Sequence, residues 1–358
     1  MILVVGAGVI GLLTARALWQ KGAQVCLLEA QMQGKPASWA GGGILSPLYP
    51  WRYPAAILDL VDGAQAFYRQ LQSELLHNVA IDIEVEPTGM LVLDVDDLPE
   101  AIGWAQRFGH NIRLLEAAEV QRSWPQLRRG LQGLWLPDFG HVRNPYLLQA
   151  LRQELRQAGV LQPDNFPVIK LLRQGNRIVQ IESKTGKRLD VEQIVLCAGP
   201  WTAGLLTTCG MELPVKPVRG QMLAFRNPNP EQLRTMVLYQ GRYLIPRRDG
   251  LLLAGSTLEE VGFAAETTLD AQILLSRFAQ KLLPLLEGQP PVHHWAGLRP
   301  GSPLGVPYLG QVLENLWIGT GHYRNGLVMA PASADLLSDL ILQRPPRCDP
   351  SPYTPVFS

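Results

Sequence analysis

The chain opens Met1-Ile2-Leu3-Val4-Val5-Gly6-Ala7-Gly8-Val9-Ile10-Gly11, and this stretch decides the fold. Ile2 to Val5 is a short, wholly apolar run of the kind that forms a strand buried on both faces. Gly6-x-Gly8-x-x-Gly11 follows it. Apolar residues then recur at helical spacing from Ile10 to about Lys21, and Gly22 stops the pattern. Gln24 to Glu29 reads as a second strand. In such a unit Gly6 permits a tight turn, Gly8 lets the backbone approach a pyrophosphate, and Gly11 lets helix and sheet pack closely. The helix N-terminus offers N–H groups and the positive end of its dipole to the phosphates. Glu29 lies 18 residues beyond Gly11, placed to accept the hydroxyls of an adenosine ribose. The same carboxylate would repel a 2′-phosphate, which argues against NADP. A bare glycine pattern is weak evidence. Strand, turn, helix, strand and acid in order are much stronger.

Working outward, 358 residues suit two interleaved domains better than one core. Apolar residues make up 47% and charged residues 18%, a folded globular composition. The net charge is +1 with no dense Lys/Arg block, so nucleic acid is not the expected partner. No run of about 18 apolar residues predicts a membrane span. The N-terminus has no basic leader region or cleavage site, so a signal peptide is not expected. Cys26, Cys197, Cys209 and Cys348 form no C-x-x-C pair and have no His at metal-ligand spacing. His293 and His294 are adjacent but have no Cys or carboxylate cluster beside them. These features predict no metal site and a reducing, cytoplasmic location.

The remaining pattern is discontinuous. Ala64 to Leu76 predicts an amphipathic helix and Gly89 to Val95 a strand. Asn144-Pro145 predicts a helix start, with Asn144 as cap, running to about Gln157. Ile178–Ser183 and Leu189–Cys197 predict two strands. Arg219–Phe225, Tyr243–Pro246 and Leu251–Gly255 predict an antiparallel sheet. A long helix is expected within Thr268–Leu286, a strand at Leu316–Gly319 and a final helix over Gly326–Leu342. The tail after Arg344 reads as extended or frayed. The fold class is therefore α/β (α+β): a Rossmann-like nucleotide domain with an inserted substrate domain built on a large mixed or antiparallel sheet. Residues 1–48, 140–215 and 296–345 are assigned to the first, 49–139 and 216–295 to the second, and 346–358 to a tail.

The opening motif does not separate NAD from FAD, but the rest of the chain does. An NAD dehydrogenase would continue with βαβ units, whereas this chain breaks into a glycine loop, Ala40, Gly41, Gly42 and Gly43, and a long insertion. A strand ending in Gly199, Pro200 and Trp201 looks like a further contact to one large cofactor. So does the run Trp317-Ile318-Gly319-Thr320-Gly321-His322, followed by Arg324, Asn325, Gly326 and Leu327 at the last helix. A second helix N-terminus there would stabilise negative charge on a reduced flavin ring. FAD is the expected cofactor. Its expected contacts are these loops together with Gly6, Gly8, Val9, Ile10, Gly11 and Glu29.

The segments VVGAGVIG (4–11), the glycine loop, VRGQ (218–221), YLIPR (243–247), AGLRPGSP (296–303) and GTGHYRNGLVMAP (319–331) carry a resemblance spanning nearly the whole chain. In their order and spacing the chain resembles the D-amino acid oxidase family of FAD enzymes, and within it the glycine oxidase branch of thiamine biosynthesis. The resemblance implies non-covalent FAD and a homo-oligomer. It implies oxidation of glycine, sarcosine or a small D-amino acid by hydride transfer to flavin, with molecular oxygen as acceptor and hydrogen peroxide as product. It also implies that Arg299 binds the substrate carboxylate, that Tyr243 reaches the same group and that Arg324 flanks it. Taken locally, Arg299 reads equally as a loop cap before Pro300, Tyr243 as a core residue, Arg324 as a solvated loop residue and His322 as incidental. Arg219 and Gln221 are expected at the domain interface or near the flavin. Trp51 and Tyr53 belong to a lid or to packing.

Three rival functions share the fold: a D-amino acid dehydrogenase passing electrons to a quinone, a sarcosine-oxidase-like N-methyl amine oxidase, and a non-enzymatic or tRNA-modifying flavoprotein. Cys209 and Cys348 stand in no motif for a covalent flavin link, and no basic stripe favours RNA. Ser46, Ser256 and Ser302 lie in no G-x-S-x-G elbow, so nothing supports a hydrolase.

Overall fold

The computed structural model describes residues 1–31, 36–162 and 164–357. The opening unit is β1 (Ile2–Val5), α1 (Val9–Gln20) and β2 (Val25–Leu28), with the two strands parallel and Val5 opposite Leu28. A short α2 (Ala37–Ala40) leads into the glycine loop, followed by α3 (Ala55–Val61) and α4 (Ala64–Val79). Next come β3 (Met90–Leu93), α5 (Leu98–Phe108), β4 (Arg113–Leu115), α6 (Ala117–Ser123) and β5 (Gly133–Leu136). The chain returns through α7 (Asn144–Gln157), β6 (Val168–Gln174), β7 (Arg177–Ser183), β8 (Arg188–Asp190), β9 (Gln193–Leu196) and α8 (Thr202–Thr207). The second large sheet takes β10 (Lys216–Arg226), β11 (Met236–Tyr239), β12 (Arg242–Pro246) and β13 (Leu251–Gly255). After α9 (Leu269–Leu282) come β14 (His293–Gly301), β15 (Tyr308–Leu313), β16 (Leu316–Thr320) and α10 (Gly326–Ile341).

A five-stranded sheet runs in the order β15-β16-β9-β1-β2, and only the β15 pairing is antiparallel. Val4, Leu12, Leu18, Leu27, Leu151 and Val195 fill the core on one face. Leu3, Val5, Leu28, Leu196 and Ile318 pack on the other face with Leu171 and Ile181 of the three-stranded sheet β6-β7-β8. Because both faces are covered, β1 needs an unbroken apolar run, and all four of its residues are buried. The eight-stranded sheet has the order β14-β10-β13-β12-β11-β3-β5-β4. It is mixed, with β3 and β11 parallel. Alternation divides β12: Leu244 packs with Leu275, Phe278 and Leu282 of α9, while Tyr243 and Ile245 share the opposite cluster with Met222 and Leu253.

Several details depart from the sequence expectations. Asn144 does not cap α7: it lies inside the first turn, and its amide donates to the carbonyls of Ser38, Trp39 and Gly41 at 2.6, 2.8 and 3.0 Å. Those carbonyls belong to α2 and the residue that ends it, so the Asn144 side chain ties α7 to α2 from within the helix instead of capping it. The strand expected over Leu189–Cys197 is two strands, β8 in the small sheet and β9 in the large one. The boundary expected at 296 falls inside β14, which stays paired with β10 through Gly301. Within 49–139, Tyr68, Leu71 and Leu75 of α4 share the core of α1 and α7. The tail is not frayed at Tyr353, which is buried and donates its hydroxyl to the Ala56 carbonyl at 2.7 Å.

Among the described residues, no helix is long and apolar enough to cross a membrane, and no group of three or more His, Cys, Asp or Glu could hold a metal.

Candidate active site

A cavity of about 990 Å³ begins at the carboxyl ends of β1, β2 and β9 and reaches β12 and β14 of the eight-stranded sheet. Cavities at the carboxyl ends of parallel strands are the usual place for nucleotides in such sheets. Gly6 opens the turn with φ +106°, and a Cβ there would lie 2.5 Å from the Cys197 carbonyl oxygen. Only glycine meets both conditions. Gly11 presses α1 onto the turn. Val9 N–H donates to Ser38 Oγ at 3.0 Å. The Glu29 carboxylate accepts from Ala7 N–H at 2.6 Å and from Gln31 N–H at 3.0 Å, so it braces the turn as well as lining the cavity.

Both α1 and α10 open onto the same cavity, through Gly8 to Ile10 and through Asn325 to Val328. Two helix N-termini therefore direct positive dipole ends into one space. The glycine loop forms another wall and is held from behind. Arg247, buried, donates to Gly42 O at 2.9 Å, to Val142 O at 3.1 Å and to His141 Nδ1 at 2.8 Å. Burial brings the Arg247 guanidinium down to about 10 and His141 well below its ordinary value, so the imidazole is the neutral acceptor of this pair. His322 is buried, with Nε2 3.0 Å from Ser333 Oγ and Nδ1 without a partner. Burial pulls its pKa to about 3, so it faces the cavity neutral.

Arg299 stands where the cavity meets β14. Its Nη1 donates to the Thr257 carbonyl at 3.1 Å and its Nη2 to Ser256 Oγ at 2.9 Å. Among the described residues no carboxylate comes within 4 Å of it. Burial lowers its pKa from the ordinary value, Tyr243 opposes that fall, and the charge of Arg324 adds to it. A guanidinium enclosed with only neutral partners is costly unless an anion completes it. Tyr243 directs its hydroxyl at Met222 Sδ, 3.7 Å away, a weak acceptor. Tyr323 and Arg324 line the same region. Backbone joins the two halves here. Gly301 of β14 bridges to His322, and Tyr323 N–H donates to Pro300 O at 2.9 Å.

Arg299, Tyr243 and Arg324 thus meet in one cavity with most of the expected cofactor residues. Gly11, Ala40 and Gly321 do not line it. Gly11 is consumed in helix packing. Ala40 gives its carbonyl to Trp295 Nε1 at 2.9 Å, and Gly321 gives its carbonyl to Ser302 at 2.9 Å. Trp51 and Tyr53 do not line it either. Trp51 packs against Tyr49 and Trp104. Sequence reasoning missed Ser38 and Ser256, both lining residues, and the brace from Arg247. Arg247 ends the YLIPR segment, which was the one available signal.

The fold and cavity define a dinucleotide-binding protein whose cavity runs from the parallel sheet to the Arg299 guanidinium on a second, mixed sheet. The model of the DAO family, FAD dependent oxidoreductase, matches residues 1–340, and the chain belongs to that family. It is 46% identical over 358 residues to a glycine oxidase of Pseudomonas aeruginosa, covering 99% of this chain and 98% of that one. It is 32% identical to the bifunctional protein ThiO/ThiG of a Nostoc species, where 96% of this chain matches 53% of that protein. The crystal structure of glycine oxidase from Geobacillus kaustophilus superposes with a TM-score of 0.91 at 28% identity, over 99% of this chain and 98% of that one. The residues present fit FAD: paired helix N-termini, a turn that admits only glycine, a ribose-side carboxylate and an orphaned buried Nδ1 on one elongated cavity.

Proposed function

We propose that the chain oxidises glycine, and related small amino acids such as sarcosine or D-alanine, to the imino acid, which water hydrolyses to the oxo acid with release of ammonia, or of methylamine from sarcosine. The half-buried Arg299 guanidinium on the cavity wall, with no ion-pair partner among the described residues, carries this reading. When bound, FAD takes up the hydride that leaves the α-carbon, and molecular oxygen restores it with release of hydrogen peroxide. Gly6, Gly8 and the start of α1 hold the pyrophosphate, and Glu29 holds the ribose. Arg299 pairs both carboxylate oxygens of the substrate through its planar fork, and Tyr243 donates to one of them. That anchorage fixes the α-carbon and replaces a diffusive encounter with a set orientation.

The amine needs no side-chain base. Glu29 is the only carboxylate among the described lining residues, and it is engaged at the nucleotide end. The positive charges of Arg299 and Arg324 lower the pKa of a nearby ammonium, so the substrate loses its proton to water before reaction. Cys197, the lining thiol, is buried and pushed up to about 12, which makes it unreactive and favours non-covalent flavin. Four free cysteines favour a reducing, cytoplasmic setting. Likeness to the ThiO/ThiG proteins favours a place in thiamine biosynthesis, and the family favours a homo-oligomer. An aerobic assay of peroxide release across glycine, sarcosine, D-alanine and D-proline tests the activity. Flavin bleaching without peroxide would transfer it to a carrier-linked dehydrogenase. No bleaching with any of them would end the proposal.

A further inference from the structure

Arg299 rests on residues 256 and 257, and that shelf is itself held from outside the cavity. The Thr257 hydroxyl accepts Gln221 N–H at 2.8 Å and donates to the Glu259 carboxylate. Glu259 is gripped in turn by Arg219 Nε at 3.2 Å and Nη2 at 2.5 Å, and by Gln221 Nε2 at 2.9 Å. Gln221 is fixed by Thr268 N–H at 2.8 Å and by His294 Nε2 at 3.0 Å. Burial alone would raise the Glu259 carboxyl. The bonds from Thr257, Arg219 and Gln221 outweigh it and hold the group below the ordinary carboxylate range.

We infer that Thr257, anchored by Glu259, is a positioning residue that sets the angle of the Arg299 fork. The inference rests on the proposed role of Arg299 as carboxylate clamp. Arg299 takes both of its hydrogen bonds from the 256–257 shelf, just past the end of β13 at Gly255, where main-chain pairing with β10 thins to Thr257 N–H on Gln221 O at 3.2 Å and a bridge between Arg219 and Glu259. A bidentate pair tolerates only about 10–20° of misorientation. Beside these main-chain contacts the Thr257 hydroxyl adds a side-chain tie, joining the shelf to Gln221 N–H and to the Arg219–Glu259 pair. That pair is nearly neutral as a unit, so its contribution to Arg299 is geometric more than electrostatic.

Thr257→Val tests this without altering any charge. Acetate is titrated into the FAD-loaded enzyme and followed by the flavin absorbance change, and glycine kinetics are measured beside it. The expected result is acetate affinity and glycine KM both worse by about tenfold, the scale of one lost hydrogen bond. The kcat should stay within about twofold. Thr257→Ser, which keeps the hydroxyl, should restore both. If Thr257→Val fails to load FAD, Thr257→Ala is read in its place. Unchanged acetate affinity in the loaded protein, or a loss confined to kcat and FAD content, overturns the inference. So does a failure of Thr257→Ser to restore binding. Arg299→Lys run in parallel separates the two readings. If it too leaves acetate affinity untouched, the clamp itself is wrong. If it weakens acetate while Thr257→Val does not, only the positioning role falls.

Discussion

The Arg299 guanidinium occupies the space that a side chain at Gly220 would need: a Cβ there would lie 2.0 Å from Nη1. The two residues belong to neighbouring antiparallel strands, with Val218 opposite Arg299 and Gly220 opposite Gly297. Gly220→Ala should push the fork out of its place while leaving the nucleotide end intact. Glycine KM should rise at least about tenfold with normal FAD content. Normal KM in the variant would show that the fork has another resting place.

Arg299→Lys keeps the charge and loses the planar fork. Glycine KM is expected to rise by about two orders of magnitude, because a point charge cannot pair two oxygens in one plane. Steady-state kinetics of the FAD-loaded variant measure this. A KM within a factor of about two would remove Arg299 from substrate binding.

Gly6→Ala adds a Cβ where the backbone has φ +106° and where Cys197 O would be 2.5 Å away. The turn cannot survive that contact. The purified variant should be colourless and should take up no flavin on reconstitution. A yellow variant with wild-type FAD content would refute the proposed pyrophosphate grip.

Glu29→Gln removes the ribose-side charge and weakens the brace on Ala7 N–H. FAD affinity of the apoprotein should fall by about tenfold, the scale of one charge-assisted hydrogen bond. Once loaded with FAD, the variant should bind acetate normally. Undiminished FAD affinity in a fluorescence-quench titration would contradict the assignment.

His322 is neutral in the folded protein, with a pKa of about 3, and takes up a proton near about pH 6.5 once unfolded. Between those values the unfolded chain binds more protons, so stability is full above about pH 6.5 and falls as pH drops. The loss is at most about 1.4 kcal/mol per pH unit from this residue. The buried His141 acts in the same direction. His322→Asn should therefore lose less thermal stability than the parent between about pH 7 and about pH 5. Parallel losses would show that His322 is already protonated in the native state.

The opening unit was legible because its glycines answer to covalent geometry: a positive φ, a carbonyl contact and a helix start within six residues leave few alternatives. That Arg299 and Tyr243 line the cavity was legible only through their resemblance to a family motif, since an isolated arginine before proline has no local signature. Ser38 and Ser256 were illegible because each reaches the cavity through a tertiary approach that no nearby spacing encodes. The single strand expected over Leu189–Cys197 failed for a related reason. Local alternation marks extended chain but does not say which sheet will claim each half. Asn144 had the sequence of a helix cap, yet it sits one residue inside α7 and spends its amide N–H groups on three carbonyls at the end of α2, a tertiary contact no local pattern encodes.

The bridge from Gly301 to His322, with Tyr323 N–H on Pro300 O, acts as a main-chain rivet between the strand bearing Arg299 and the start of α10. The span between the two is thereby written in backbone and insulated from side-chain exchange. Re-tailoring the pocket for bulkier or N-alkylated acids should thus fall to wall residues such as Ile44 and Leu48, which can trade volume while the rivet keeps its length.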